Sequence, residues 1–454
     1  MLLLRCLTYK KMRRKIQFFL CCKLIIGTWC NTMDGVTTKA NSSEAQFQPN
    51  YLADSVNNFG YKLLLKMMEQ NKNENIALSP TGIAGLLAMT LLGSVGSTYD
   101  ELATSLGFSQ DILANRNHHE QFGELLQQLN DNETNSKTLY ADAMFVDSQT
   151  RIRSVFKDYL TTVYHGEARG VNFTQKNEVK QMINEWVKAQ TQAKIEDFLK
   201  QSLPEATKVV LLSALYFSGQ WASPFIPEYT FKMPFKKPEG EVMADLMLNL
   251  GDFDYIFSEK DGLHMIALPY NDSTTVMYAL KPRLPMKLSL FDLMKKLDYN
   301  KIDELINKMN ERKAVVRFPK MDLESNVNLD KALKAVGIKS MFSPDEANFA
   351  LMIDSSDDKK ENEVVIRSRF GHEQSRMLKD ALNSLPNPGV YVDSVLHNVK
   401  ITVNEFGTEA VAATAGILAR SAEQFYADSP FYIFIRNEKT KLVTFSAVVY
   451  DPTI

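Results

Sequence analysis

Cysteine is nearly missing from this 454-residue chain: Cys6, Cys21, Cys22 and Cys30 are the only four, and none follows residue 30. A disulfide framework is therefore excluded for almost the whole chain, and stability must come from a large apolar core, which a chain of this length can bury. An excess of charge of either sign is also missing. With 52 basic and 54 acidic residues the net charge is −2, which excludes the basic footprint of nucleic-acid binding or attraction to an anionic membrane. The six histidines, His118, His119, His165, His264, His372 and His397, show no H-E-x-x-H or other metal-ligand spacing, so neither a metal nor a cofactor is expected. There is no G-x-S-x-G elbow and no phosphate-binding glycine loop, and an enzyme is not expected.

The chain opens on a leader, residues 1–30. A basic cluster (Lys10, Lys11, Arg13, Arg14, Lys15) precedes an apolar run from Ile16 to Trp29 that Lys23 interrupts. This reads as a secretory signal peptide, with Met12 an alternative start; a short membrane anchor is the rival reading, but the run falls short of the roughly 20 residues a span needs. Residues 31–50 read as a flexible polar tail in a secreted, extracellular protein, and by length the rest, 51–454, could hold about three domains, although a single large domain also occurs at this size. Four N-x-S/T sequons start at Asn41, Asn132, Asn172 and Asn271, with Asn41 and Asn132 in the more turn-like surroundings.

Hydrophobic spacing organises the domain. Leu52, Val56, Phe59, Leu63 and Met67 predict a helix, Ile83 to Leu92 a dense apolar one, and Thr98 with Glu101 a capping box at the start of a third. Asp111 to Leu129 is a polar helix with an apolar stripe, Leu139 to Val146 a strand, and Val179 to Phe198 a long amphipathic helix. Lys208 to Phe217 reads as a buried strand, Phe231 to Leu280 as strands alternating with turns, and Leu288 to Met309 as helical. Between Asp354 and Gly389 the charged run D-S-S-D-D-K-K-E-N-E predicts an unstructured, solvated loop. Val364 and Ile366 follow in extended alternation, then a basic helix from Arg369 to Leu382.

The stretch from Val403 to Phe425 is unlike the rest. Asn404, Glu405 and Gly407 read as a turn, and Thr408 to Ala415 is almost wholly small and uncharged apart from Glu409. Its composition alone suits an alanine-rich surface helix or linker. Yet Thr408, Ala410, Ala412 and Thr414 would share one face of a strand, and such a strand could slide between two others without a clash.

The run Glu405-Phe-Gly-Thr-Glu-Ala-Val-Ala-Ala-Thr414 resembles the reactive-centre hinge of the serpins, E-E-G-T-E-A-A-A-A-T, with Phe406 and Val411 as departures. Three further stretches resemble serpin patterns in the same order: N-I-A-L-S-P-T-G-I-A-G from Asn75, S-A-L-Y-F-S-G-Q-W ending at Trp221, and F-Y-A-D-S-P-F-Y-I-F-I-R from Phe425, where the family has F-x-A-D-H-P-F. The likeness spans Tyr51 to Ile454 apart from an insertion at 355–389. It implies an α+β serpin fold: a helix-rich half, a large main sheet, two further sheets, and an exposed reactive-centre loop at 404–424.

The same resemblance implies a monomeric suicide inhibitor of serine proteases whose cleaved loop inserts into the main sheet. Its hinge would be Glu405, Gly407, Thr408, Glu409, Ala410, Ala412, Ala413 and Thr414; its breach and shutter would use Trp221, Ser79, Ser213 and His397. Gly82 and Ser213 stand where the family usually has serine and asparagine, so His397 must find Ser79, water or backbone groups. Arg420, the one basic residue of the stretch, marks Arg420–Ser421 as the reactive bond for a trypsin-like target, while family spacing from Gly407 puts Ser421 in the pocket. A heparin-type polyanion is not expected on the 111–129 helix, which offers only Arg116, His118 and His119. The alternative is a non-inhibitory carrier, storage or chaperone serpin.

Overall fold

A helix with every residue buried, Pro80–Leu92, sits between two sheets and touches both. Pro80 at its first position has no N–H to leave unpaired, and the Ser79 hydroxyl caps it by accepting from Gly82 N at 3.0 Å. In this computed structural model the described residues are 50–129, 136–356, 358, 360–370, 376–406 and 422–454, and one unit spans Gln48–Ile454. The leader, the polar tail as far as residue 49, Asn41, Asn132 and residues 407–421 lie outside them.

The strands, in chain order, are β1 (Ile76–Leu78), β2 (Lys137–Asp147), β3 (Glu167–Val171), β4 (Val209–Ser218), β5 (Ile226–Lys237), β6 (Gly240–Ser258) and β7 (Leu263–Pro269). They continue with β8 (Thr275–Pro282), β9 (Asn310–Pro319), β10 (Met321–Asn328), β11 (Ser394–Val403), β12 (Glu423–Tyr426), β13 (Phe431–Asn437) and β14 (Val443–Val449). The main sheet has the order β10-β11-β4-β2-β3. Its centre is a parallel pair, β4 beside β11, in register from Ser394↔Val210 to Ile401↔Phe217. The two further sheets share β6, whose 19 residues pair with β5 and β9 along one part and β7 at its end, joining them into one nine-stranded network. The fold is α+β as the resemblance implies.

Both faces of the main sheet are covered. On one, Leu215, Phe217, Val399, Ile401 and Val403 share a core with Phe253, Ile266, Ile433 and Phe445 of the network. On the other, Val179, Ile183 and Val187 of helix Lys176–Gln190 pack on Ala141, Ala143, Phe145, Val210 and Leu212. That helix ends at Gln190 rather than running to Phe198, although Ile195 and Phe198 remain in the same cluster. Leu288 to Met309 divides into two short helices, Leu290–Lys296 and Tyr299–Ile306, because Ser289 and Asp298 each start one.

Two local expectations fail. The third helix, Gly96–Leu106, begins two residues early and has no capping box. Tertiary partners take both of its members: Thr98 Oγ1 accepts from Asn348 N at 3.0 Å, and Glu101 Oε2 accepts from Lys339 N, Ser340 N and Ser340 Oγ at 2.6–2.9 Å. The insertion is not a solvated loop with an extended second part. Lys360–Phe370 is a helix, with Glu361 and Glu363 in its first turn and Arg367 and Arg369 in its last, the arrangement the helix dipole favours. Ile366, Phe370, Leu378 and Leu382 are buried, and a second helix spans Arg376–Asn383. Phe370 packs its ring 5.5 Å from that of Tyr159 on helix Ser154–Tyr164, and Arg153, which precedes that helix, is ion-paired with Asp354 and Asp358.

Candidate functional site

The site lies where β11 leaves the main sheet. Beyond Val403 the backbone is held by a clamp on Asn404 and Glu405. Trp221 Nε1 donates to the Asn404 carbonyl at 2.9 Å, and Phe225 N donates to the Glu405 carbonyl at 2.9 Å. The Trp221 indole is fixed in turn by Tyr270, stacked at 4.5 Å and 16°, with Phe225 edge-on at 5.9 Å. The Glu405 side chain is buried and grips two elements: Thr230 Oγ1 on β5 donates to Oε1 at 2.9 Å, and Lys320 Nζ, between β9 and β10, stands 3.2 Å from Oε2. Burial raises the Glu405 carboxyl, but its own backbone N–H, Thr230 and Lys320 outweigh burial and hold it below the ordinary value. It is therefore a carboxylate at neutral pH.

A second cluster lies deeper, under the parallel pair. His397 on β11 is in register with Ser213 on β4 and fully buried. Its Nε2 accepts from Ser79 N at 2.9 Å and its Nδ1 is 3.1 Å from the Ser213 carbonyl, so the neutral ring donates through Nδ1 and accepts at Nε2. Both ring nitrogens are thus satisfied by backbone groups, and no side chain at 82 or 213 is needed. Burial lowers the imidazole to about 3, against which the bond to Ser213 raises it. Ser79 ties the cluster to β14, its hydroxyl donating to the Thr444 carbonyl at 2.7 Å. Gly82 leaves room here: a Cβ at that position would come 3.0 Å from both the Ser213 and Ser79 hydroxyl oxygens.

Three members of these clusters carry no signal in the local sequence. Thr230, Lys320 and Asp142 come from separate elements, and only folding brings them to Glu405 and Ser213. Asp142, on β2 and opposite Ser213, is half-buried, and its Oδ1 is shut off from water without a hydrogen-bond partner among the described residues. Burial pushes its carboxyl up to about 7, with the Ser213 hydroxyl pulling the other way.

Of the expected site residues, Ser79, Ser213, Trp221, His397 and Glu405 are brought together along β11 and its exit. Gly407, Thr408, Glu409, Ala410, Ala412, Ala413, Thr414, Arg420 and Ser421 lie outside the described residues, and the chain re-enters them at Ala422, just before β12. Asn172 and Asn271 are exposed. Among the described residues there is no group of three or more His, Cys, Asp and Glu able to hold a metal, and no helix long and apolar enough to cross a membrane.

A five-stranded sheet with a parallel centre, and a buried clamp at the point where β11 leaves it, define the architecture around the candidate site. The chain belongs to the serpin family: the sequence model described as "Serpin (serine protease inhibitor)" matches residues 54–452. Plasminogen activator inhibitor 1 of Sus scrofa is 29% identical over 431 residues, covering 93% of this chain and 98% of the relative. Serine protease inhibitor 28Dc of Drosophila melanogaster is 27% identical, covering 93% and 85%. Among solved structures, human thyroxine-binding globulin complexed with thyroxine has a TM-score of 0.75 at 20% identity, covering 90% of this chain and all of the other. Native protease nexin-1 with heparin has a TM-score of 0.74 at 25% identity, covering 89% and 100%.

Proposed function

We propose that this protein is a secreted suicide substrate of trypsin-like serine proteases. The observation that carries the reading is the direct parallel pairing of β4 and β11, with β11 running straight into the Trp221–Glu405 clamp and the small-residue hinge after it. A segment that turns back from Glu405 into the sheet runs antiparallel to β11, and so to β4 as well. Insertion therefore exchanges one parallel ladder for two antiparallel ones, and antiparallel pairing is slightly the more stable per residue. Thr408 to Ala419 would add roughly 40 Å of strand at about 3.3 Å per residue. A dozen or so extra hydrogen bonds, at about 0.5–1.5 kcal/mol net each, supply on the order of ten kcal/mol.

The chemistry is that of the protease. Its serine hydroxyl adds to the Arg420 carbonyl, the Arg420–Ser421 bond breaks, and the Ser421 amine leaves, giving an ester at Arg420. Insertion then carries the ester-linked protease away from Ser421 before water completes hydrolysis. The small residues at Thr408, Ala410, Ala412 and Thr414 support passage into the sheet.

Charge supports a mechanism without a polyanion on helix Asn115–Leu129. Its Arg116 is already paired with Glu120 and donates to the Phe370 carbonyl, and the groove beside it carries Glu120, Glu124 and Asp158. The test is incubation with trypsin followed by boiling in detergent. The expected result is a one-to-one covalent complex and a released peptide whose amino terminus is Ser421. An amino terminus at Ala422 moves the target to elastase-like enzymes, and cleavage by every protease tried without a stable complex rejects the inhibitor in favour of a carrier serpin.

A further inference from the structure

A cavity of about 850 Å3 lies beside β12, between the end of β8 with its following turn and the chain leading into β13. Its size is that of a site for a small molecule. Pro282, Leu284, Pro285, Leu290, Phe291 and Phe425 give it apolar walls. Leu284 at 51% and Met286 at 95% exposure show that its rim is open to water rather than sealed as core.

Its charge is unbalanced. Lys236, Lys281 and Arg283 face Glu423 and Asp428, and Asp428 is already held by Lys281 at 2.6 Å. Lys236 and Arg283 have no carboxylate partner among the described residues; the Arg283 guanidinium lies 4.5 Å from the Phe257 ring. Lys281 is itself buried and donates to the Tyr426 carbonyl. Ser429 also lines the cavity, is 1% exposed, and leaves its Oγ without a partner, although buried hydroxyls are normally hydrogen-bonded. Serine stands here where the family pattern F-x-A-D-H-P-F has the larger histidine.

We propose that this cavity binds a small amphipathic organic anion, a carboxylate or sulfonate on a flat apolar body. Lys236 and Arg283 balance its charge, Ser429 Oγ donates to it, and Leu284, Leu290 and Phe291 receive the body. Because Ala422 to Tyr426 form one wall, the occupant braces β12, which is held to β9 only from Glu423↔Ala314 to Tyr426↔Arg317. The site does not depend on whether the loop inhibits a protease.

Two fluorescent probes that differ by one sulfonate test this on the full chain: 1-anilinonaphthalene-8-sulfonate and the neutral N-phenyl-1-naphthylamine. The sulfonate should bind saturably, one to one and at least tenfold tighter than the amine. Lys236→Ala with Arg283→Ala, both exposed positions, should weaken the sulfonate about tenfold and the amine less than twofold, with an unchanged Tm. Hydrogen exchange on the unmodified protein should slow at Glu423 to Tyr426 when the sulfonate is bound. Non-saturable binding, equal affinity for the two probes, or protection that spares residues 422–430 would each overturn the proposal.

Discussion

Glu405 Oε2 and Lys320 Nζ stand 3.2 Å apart, and through this pair the exit of the main sheet is fastened to the link between β9 and β10. Lys320 is half exposed, so the ion pair alone contributes little, about 0.2–1 kcal/mol. The charge-assisted bond from Thr230 to the same carboxylate adds about 1.5–3 kcal/mol. Glu405→Gln should therefore lower stability by about 1–2 kcal/mol. Glu405→Lys should lower it further, by setting two cations together, and Glu405→Lys with Lys320→Glu should recover part of the loss. Urea unfolding of the four proteins checks the cycle; no recovery in the double variant would mean that the ion pair contributes nothing.

Asp142 and His397 titrate in opposite directions under the same sheet. The Asp142 carboxyl, raised from 3.8 to about 7, keeps a proton in the folded state that the unfolded chain has already released. Its contribution is full below pH 3.8 and is lost as pH rises through 7. His397, lowered from 6.5 to about 3, contributes fully above pH 6.5 and loses that contribution as pH falls toward 3. Asp142→Asn should remove the first effect and raise stability at pH 7.5 by about 1–3 kcal/mol. Unfolding curves of both proteins from pH 4 to 8 should converge at the acid end, and parallel curves would show that Asp142 does not titrate in this range.

The insertion is attached by its own core. Ile366 and Leu382 are fully buried, and Ile366→Ala should cost about 2–4 kcal/mol. Removing 355–389 should lower Tm through exposure of helix Ser154–Tyr164, while the rate of inhibiting a small protease stays within tenfold of the original. A greater loss of rate in a folded deletion variant would make the insertion a contact surface for the protease.

Stored strain is the remaining expectation. Cleavage within 404–424 should raise Tm sharply, as the hinge completes a new ladder between β4 and β11. Thr408→Arg should turn the inhibitor into a substrate, since insertion would bury a charge. An unchanged Tm after cleavage, or full inhibition by Thr408→Arg, would each count against loop insertion.

Much of this was legible in the residues. Ser79-Pro80 followed by an unbroken apolar run dictates a capped, buried helix, because a helix with no polar face has nowhere else to go. Likewise the nine buried residues of β4 announce a central strand covered on both faces. The acidic first turn and basic last turn of Lys360–Phe370 were also present, but alternation at Val364 and Ile366 suggested a strand. The helix prevails because helical spacing brings buried Ile366 and Phe370 to one face, from which Phe370 meets Tyr159 of helix Ser154–Tyr164, a partner that local pattern does not reveal.

Other features belong to the tertiary structure alone. Nothing near Thr98 or Glu101 shows that Asn348 and Lys339–Ser340 will take their hydrogen bonds, and a long-range backbone donor displaces the local cap. Loss of the usual serine and asparagine leaves His397 to Ser79, water or backbone groups, and the fold chooses among them by bringing up Ser79 N and the Ser213 carbonyl, since backbone groups are available whatever the side chains are. The sequence determined the capped helix and the strands, because each rests on neighbours a few positions away. Which strand lies beside β11, and which cation meets Glu405, was decided only by the fold, because those partners lie far along the chain and meet where packing leaves them one place to go.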